Sequence, residues 1–379
     1  MKAVWFGRFG ELPELREVPD PVASSTGVVV RVEATGLCRS DWHGWLGHDP
    51  GIALPHVPGH ELVGVIDSVG PLVRRFRVGQ RVTVPFVCAC GDCPDCAAGN
   101  AQVCRNQTQP GFTHWGSYAE LVALHHADVN LIAVPDGLDA GAAALLGCRF
   151  ATAYRGLAHQ ARLAAGETLV VIGCGGVGLS AVMIGAALGA TVIAVDVSEV
   201  ALGAAVRCGA AHTVDSSGLD DEVVLARIRA AAGSAGVQVS VEALGRENTV
   251  SIAIRSLAAR GRHVQIGLLA EDPRMPLGDV IARELTVLGS HGMPAADYPA
   301  LLALVESGRL RPETLISRRI TLAEAPAAVA AMSDPVPTAG VTLIEVAPRP
   351  APPRTVPRAF ASGRVPNSGK PAGPARSAP

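Results

Sequence analysis

Charge of one sign is missing from this chain, and that absence excludes its least selective partners. The 379 residues carry 32 Lys and Arg against 34 Asp and Glu, a formal charge of -2, so no broad field exists to hold nucleic acid or an anionic membrane. Long apolar runs are missing too: each is broken by Gly, Pro or charge before the roughly 20 residues that a bilayer crossing needs. The opening MKAVWFGRFGELPEL has no apolar core of the length a secretory leader requires. The expectation is a cytoplasmic chain with a small-molecule partner, in a reducing compartment that leaves thiols available to metal. With 49% hydrophobic residues, the chain is long enough to bury two cores.

What is present begins with cysteine. The segment CGDCPDCAAGNAQVC sets Cys90, Cys93, Cys96 and Cys104 in a C-x2-C-x2-C-x7-C spacing. Gly91, Pro94, Asp95 and Gly99 interleave them and disfavour a packed strand or helix, which argues against cysteines that are merely buried or disulfide-bonded. Four thiolates fill every position of a tetrahedral zinc, so this lobe reads as a structural metal site and not a reaction centre. Cys88 lies two residues upstream and could serve as one of the four, so the choice of four from five stays open.

The texture of the chain changes along its length. Up to about Ala144, short β-runs (GVVVRVEATG, HELVGVIDSVG, QRVTVPFVC) are punctuated by Gly and Pro, as in a strand-rich, barrel-like domain. From Glu167, strands alternate with helical patterns: TLVVIG, a helix from Val177 to Leu188, ATVIAVD, a helix through Cys208, VQVSVEALG and GRHVQIG. That alternation predicts βαβ units and a parallel, doubly wound α/β sheet. A helix from Ala300 to Ser307 and a last strand, GVTLIEV, follow. The expected division is 1–148 for the barrel-like domain, with 291–348 returning to it, and 149–290 for the α/β domain. Residues 349–379, rich in Pro and Ala and without an acidic residue, read as a disordered basic tail that cannot bury enough apolar surface to order itself.

TLVVIGCGGVG ends a predicted strand and opens a predicted helix with Gly173, Gly175 and Gly178 in G-x-G-x-x-G register, joined by Gly176 and Val177. Backbone N–H groups at such a helix start can take a pyrophosphate. The next strand ends in Asp196, whose carboxylate can accept from ribose hydroxyls and would repel a 2′-phosphate. Val197, Ser198 and Glu199 after it offer no cation to welcome one. The expected cofactor is NAD.

Three further motifs carry Cys38, Arg39, Ser40, Asp41 and His43 (GLCRSDWH), His60 and Glu61 (PGHELVG), and Cys148 (LLGCRFATAY). Singly, each residue has an ordinary explanation. In this order, with the cysteine lobe, GCGGVG and the later GSHGM, the chain resembles the zinc-dependent alcohol dehydrogenases of the medium-chain dehydrogenase/reductase superfamily over roughly residues 1–346. The resemblance implies a Rossmann-type sheet beside a GroES-like β-barrel catalytic domain, two Zn2+ per chain, and a dimer or tetramer. It implies that Cys38, His60 and Cys148 bind the catalytic zinc, with a fourth position left for substrate oxygen. Glu61 matches an acid that approaches the metal during ligand exchange, and Asp41 a carboxylate that orients the histidine ligand. Ser40 would take the hydroxyl proton and pass it, through the cofactor ribose, to His43. Arg39 matches a contact to the cofactor pyrophosphate. Phe86, and less directly Trp45, match the substrate channel.

The leading expectation is hydride transfer between an alcohol, or the aldehyde or ketone in reverse, and NAD. A polyol, amino-alcohol or thiol-adduct dehydrogenase of the same family is the alternative substrate class. A catalytically silent, nucleotide-sensing relative would have no use for Cys38, Ser40, His43, His60 and Cys148 together. A zinc-free quinone reductase of the superfamily would not need Cys38 and Cys148.

Overall fold

Val28–Gly36 buries every residue but Arg31 because β-sheet partners and core surround it on all sides. It pairs antiparallel with Leu62–Val69, with Leu121–Leu124 and with the late strand Val341–Glu345. The full sheet runs Ile316–Thr321, Val341–Glu345, Val28–Gly36, Leu62–Val69, Arg81–Thr83, Ile132–Ala133. The expected run QRVTVPFVC is thus a strand only over Arg81–Thr83. Pro85 has no N–H to extend the ladder, and the chain turns so that the Phe86 N–H donates to the Gly147 carbonyl at 3.0 Å. The structure, a computed structural model, describes residues 1–334 and 339–347. The expected basic tail over 349–379 lies outside the described residues.

The second sheet has six parallel strands in the order His212–Asp215, Thr191–Asp196, Thr168–Ile172, Val237–Glu242, Leu257–Gln265, Thr286–Gly289. Thr168–Ile172 is buried throughout. Successive side chains point to opposite faces, so Leu169 and Val171 join one apolar cluster and Val170 and Ile172 another. Helices on both faces are what a strand of unbroken apolar residues needs. The strand order reverses between Thr168–Ile172 and Val237–Glu242, and the crevice at their carboxyl ends is where such sheets take ligands. The GCGGVG turn sits there and leads into the helix Gly176–Ala187.

A polar thread runs inside this second sheet. His263 is fully buried, with Ser240 Oγ 3.0 Å from Nδ1 and Gln265 Oε1 3.1 Å from Nε2. Gln265 in turn donates to the buried Glu242, which also accepts from the Leu244 and Gly245 N–H groups and Thr249 Oγ1. Burial holds His263 down to about 4, so the folded protein keeps it neutral while the unfolded chain protonates it near 6.5. Its stabilising contribution is complete above about pH 6.5 and is lost as pH falls towards 4, on the order of 3 kcal/mol in all. Urea unfolding at pH 7 and pH 4.5 should show this loss, and His263→Gln should flatten the difference; an unchanged pH dependence in the variant would refute it.

Candidate active site and metal centres

The helix Arg39–Trp45 starts at Cys38 because Asp41, at its third position, reaches back to the Cys38 N–H at 3.1 Å in a capping box. That same carboxylate is fully buried and accepts three more bonds: from Gly59 N–H at 3.0 Å, Tyr118 OH at 2.7 Å and His60 Nδ1 at 2.9 Å. The turn Pro58-Gly59-His60 depends on Gly59, which has φ +105 and would press any Cβ onto the Tyr118 backbone nitrogen at 2.7 Å. With Nδ1 held by Asp41, His60 turns Nε2 towards the cage, where giving up its proton would free a lone pair. Nε2 is buried and has no hydrogen-bond partner among the described residues.

Cys148 reaches the same point from the junction helix, in a turn widened to π-helical geometry over Leu146–Phe150, a distortion frequent at functional sites. Tyr298 OH and the Phe86 N–H bond to carbonyls of that turn. One ligand-capable atom each from Cys38, His60, Glu61 and Cys148 lies within 4.8 Å of the others. The orphaned Nε2 among two thiols and a carboxylate is a donor set that fits a zinc ion, with imidazole and thiolate the preferred partners. The cage shares its protons unequally: the hydrogen bond with Cys38, and then burial, push the Cys148 thiol well above the usual range. Cys38 is held well below the usual thiol range, first by a hydrogen bond from Cys148 and then by His60. Burial opposes charge on His60, yet Asp41 and the Cys38 thiolate outweigh it and raise its pKa well above 6.5. A dication can replace that proton.

Around the cage, Ser40 Oγ lies 3.8 Å from Cys38 Sγ. His43 is one helical turn on from Arg39 and pairs Nδ1 to Nδ1 with His48 at 2.9 Å. Burial first, then the neighbouring His48, lowers the His43 pKa. Phe86 sets its ring edgewise to His60 at 6.1 Å and to His291 at 5.1 Å, with Phe112 5.2 Å from His60. Trp45 is buried and donates to the Glu11 carbonyl at 2.6 Å. Arg39 donates to the Met332 carbonyl at 2.6 Å and lies 3.9 Å over the Trp42 ring.

The four sulfurs of the loop stand apart from this site. Cys90 and Cys96 are 4.0 Å apart, Cys93 and Cys96 3.5 Å, Cys93 and Cys104 3.6 Å, Cys104 and Cys90 3.5 Å. A tetrahedron of sulfurs about zinc has edges of roughly 3.8 Å, whereas a disulfide needs roughly 2.05 Å, and all nine cysteines are free. The Cys96 backbone N–H and then the neighbouring thiols push Cys93 down to about 6, and Arg105 braces the loop through a two-pronged bond to Asp95. Cys88 is outside this group: its thiol points at the Pro85 carbonyl, and burial pushes it up to about 12.

In the dinucleotide turn, Gly173 has φ +91, and a Cβ on Gly178 would stand 1.7 Å from the Gly173 carbonyl oxygen. Gly175 has open space where its Cβ would be, the cradle that a pyrophosphate requires. Asp196 accepts from Cys174 N–H at 2.6 Å and Ser198 N–H at 2.9 Å, so its carboxylate is fixed at the edge of the turn.

With this geometry in view, two family models match the chain: the alcohol dehydrogenase GroES-like domain over residues 24–136 and the zinc-binding dehydrogenase over 176–307. An NAD-dependent alcohol dehydrogenase of Sulfurisphaera tokodaii is 32% identical, covering 87% of this chain and 95% of the relative. The chain belongs to the zinc-dependent alcohol dehydrogenases of the medium-chain dehydrogenase/reductase superfamily. The solved alcohol dehydrogenase TADH from Thermus sp. ATN1 superimposes with a TM-score of 0.82 at 31% identity, covering 92% of this chain and all of that one. A zinc-binding dehydrogenase from Sinorhizobium meliloti 1021, solved with NADP, gives a TM-score of 0.81 at 31% identity, covering 91% and 98%. The fold is therefore the expected GroES-like half with a Rossmann-type sheet.

Sequence reasoning missed two members of the site. Tyr118 lies in the SYAEL segment, and nothing local marks its hydroxyl as a partner of Asp41. Arg149 was passed over although it adjoins Cys148; a cation in an otherwise apolar junction was the available signal. Because Asp41 fixes the His60 ring, Asp41→Asn should weaken metal binding at the cage about 10- to 100-fold. Competition with a chromophoric chelator measures this; equal affinity in variant and wild type would remove Asp41 from the role.

Proposed function

We propose that the chain is an NAD-dependent zinc alcohol dehydrogenase that moves hydride between an alcohol, or the aldehyde or ketone in reverse, and the nicotinamide. The observation that carries this reading is the buried, unpartnered His60 Nε2 facing the sulfurs of Cys38 and Cys148. Those three would hold the catalytic zinc and leave a position open to substrate oxygen; Cys90, Cys93, Cys96 and Cys104 would close around a second, structural zinc. When bound, zinc supplies Lewis acidity that acidifies a hydroxyl, and NAD supplies the hydride acceptor.

The chain's own residues do the rest. Asp41 keeps the His60 proton on Nδ1, which preserves Nε2 as a donor. Ser40 Oγ accepts the substrate hydroxyl proton. His43, held neutral by its lowered pKa, receives it near the surface beside His48. Phe86 and Phe112 form an apolar wall that keeps water from the reacting atoms. Glu61 stays within reach of the cage. Gly173, Gly175, Gly176, Val177 and Gly178 carry the pyrophosphate, and Asp196 takes the ribose hydroxyls, which favours NAD although a relative was solved with NADP.

The same reading assigns 1–148 and 291–348 to catalysis and 149–290 to the cofactor. It takes the protein as a homo-oligomer, dimer or tetramer, supported by the edge strand Thr286–Gly289 and by exposed Leu268, Met275, Leu277, Ile281 and Val287 nearby in sequence. A cytoplasmic location is supported by the unpaired thiols. No helix among the described residues is long and apolar enough to cross a membrane.

A screen of primary, secondary, aromatic and polyol substrates with NAD and NADP should give reduced cofactor, with NAD favoured about tenfold or more; turnover with none of them would overturn the reading. Metal analysis should find two zincs in the wild type. Cys38→Ser should keep the fold, retain the lobe zinc and lose at least about a thousandfold in kcat/KM, since Lewis-acid activation is worth several kcal/mol. Cys93→Ser should lose the other zinc and melt earlier, while folded, assembled protein turns over normally. Full activity in Cys38→Ser, or a slowed chemical step in folded Cys93→Ser, would reverse the assignment. Light scattering checks the oligomer, and a monomer would refute that part.

A further inference from the structure

Arg149 follows Cys148 in the widened turn and is 4% exposed. Its Nε donates to both Glu61 oxygens at 2.9 Å; its Nη2 donates to Glu61 Oε2 at 2.5 Å and to the Leu37 carbonyl at 3.1 Å. Glu61 follows His60 and Leu37 precedes Cys38. One guanidinium thus holds a chain neighbour of two cage residues while adjoining the third.

The remaining nitrogen, Nη1, makes no hydrogen bond among the described residues and lies on the other side of the guanidinium. A Cβ placed on Gly176 would stand 2.4 Å from it, so this position must be glycine for the guanidinium to lie against the first residue of the dinucleotide helix. Arg39, which the resemblance set on the pyrophosphate, is already bound to the Met332 carbonyl and stacked on Trp42. A planar fork with a free N–H pair beside a helix N-terminus is suited to phosphate oxygen.

We propose that Arg149 binds the pyrophosphate of the dinucleotide through Nη1 while its other nitrogens hold Glu61 and Leu37, which joins the cofactor site to the metal cage through one side chain. This rests on the dinucleotide reading above. Gly176 is the opening that admits the side chain, and Glu61 is the counter-charge that lets it lie buried.

Removing Arg149 alone would strand a buried carboxylate, which is strongly destabilising, so the comparison is made between Glu61→Gln and the double variant Glu61→Gln/Arg149→Gln. Both are prepared zinc-loaded and checked for equal metal content and unfolding temperature. Binding of NADH, ADP and adenosine is followed by calorimetry. NADH and ADP should bind about 10- to 100-fold more weakly to the double variant, the worth of one hydrogen bond to a charged group. Adenosine, which lacks the pyrophosphate, should bind equally, and Arg149→Lys in the same background should recover part of the loss. Equal NADH and ADP affinity in the two variants would overturn the proposal, as would a parallel loss for adenosine, which would mark a structural role. A wild type that binds no NADH would instead defeat the dinucleotide reading on which it rests.

Discussion

The buried carboxylate of Asp41 is the constraint on which the candidate site depends. A fully buried charge is tolerated only when its oxygens are satisfied, and here four donors from three separate segments converge on it: the Cys38 N–H, the Gly59 N–H, His60 Nδ1 and the Tyr118 hydroxyl. Each bond has a local purpose. The first caps a short helix, the second closes the turn before His60, the third fixes a tautomer, and the fourth ties in a distant loop. Together they hold Cys38 and His60 in one geometry, so the orientation of two candidate zinc ligands follows from the solvation needs of a single acid.

A second buried charge pair, Arg149 with Glu61, serves the same cage from the opposite side. Burial raises the Glu61 pKa, while Arg149 opposes that rise. Neither residue could remain inside alone. Their pairing costs desolvation but holds the junction helix against the barrel-like half where Cys148 must meet Cys38, and it carries the contact on to Gly176. Buried ion pairs are weak sources of stability; this one is better understood as fixing geometry between two halves of different construction.

Much of this was legible beforehand because its causes are local. The cysteine loop could be read from spacing, since Gly91, Pro94 and Gly99 leave the chain little choice but to curl, and the sulfur separations agree with a tetrahedral ion. The strands around TLVVIG and ATVIAVD were legible because both faces are covered and the residues are apolar without interruption. Boundaries moved by a residue or two, as at Gly176–Ala187, since helix ends are settled by caps. The strand through QRVTVPFVC came out shorter, for a reason already written in Pro85. What could not be read were bonds between segments far apart in the chain: Tyr118 on Asp41 and Arg149 on Glu61. Nothing in the neighbourhood of Arg149 announces that its partner lies some ninety residues earlier.

The amino-acid sequence by itself determined the chemistry on offer: which donors exist, which turns need glycine, where a dinucleotide helix begins, and that Cys88 was available as a fifth thiol. Each of these follows from covalent spacing or from the preferences of a few adjacent residues. Only the tertiary structure decided which donors are used. It turned Cys88 towards the Pro85 carbonyl and away from the four converging sulfurs, committed Arg39 to Met332, left His60 Nε2 bare and brought Arg149 across to Glu61 and Gly176. These are choices among competing partners, and they are made by burial, because a polar group removed from water must take the partner that the packed chain places within reach.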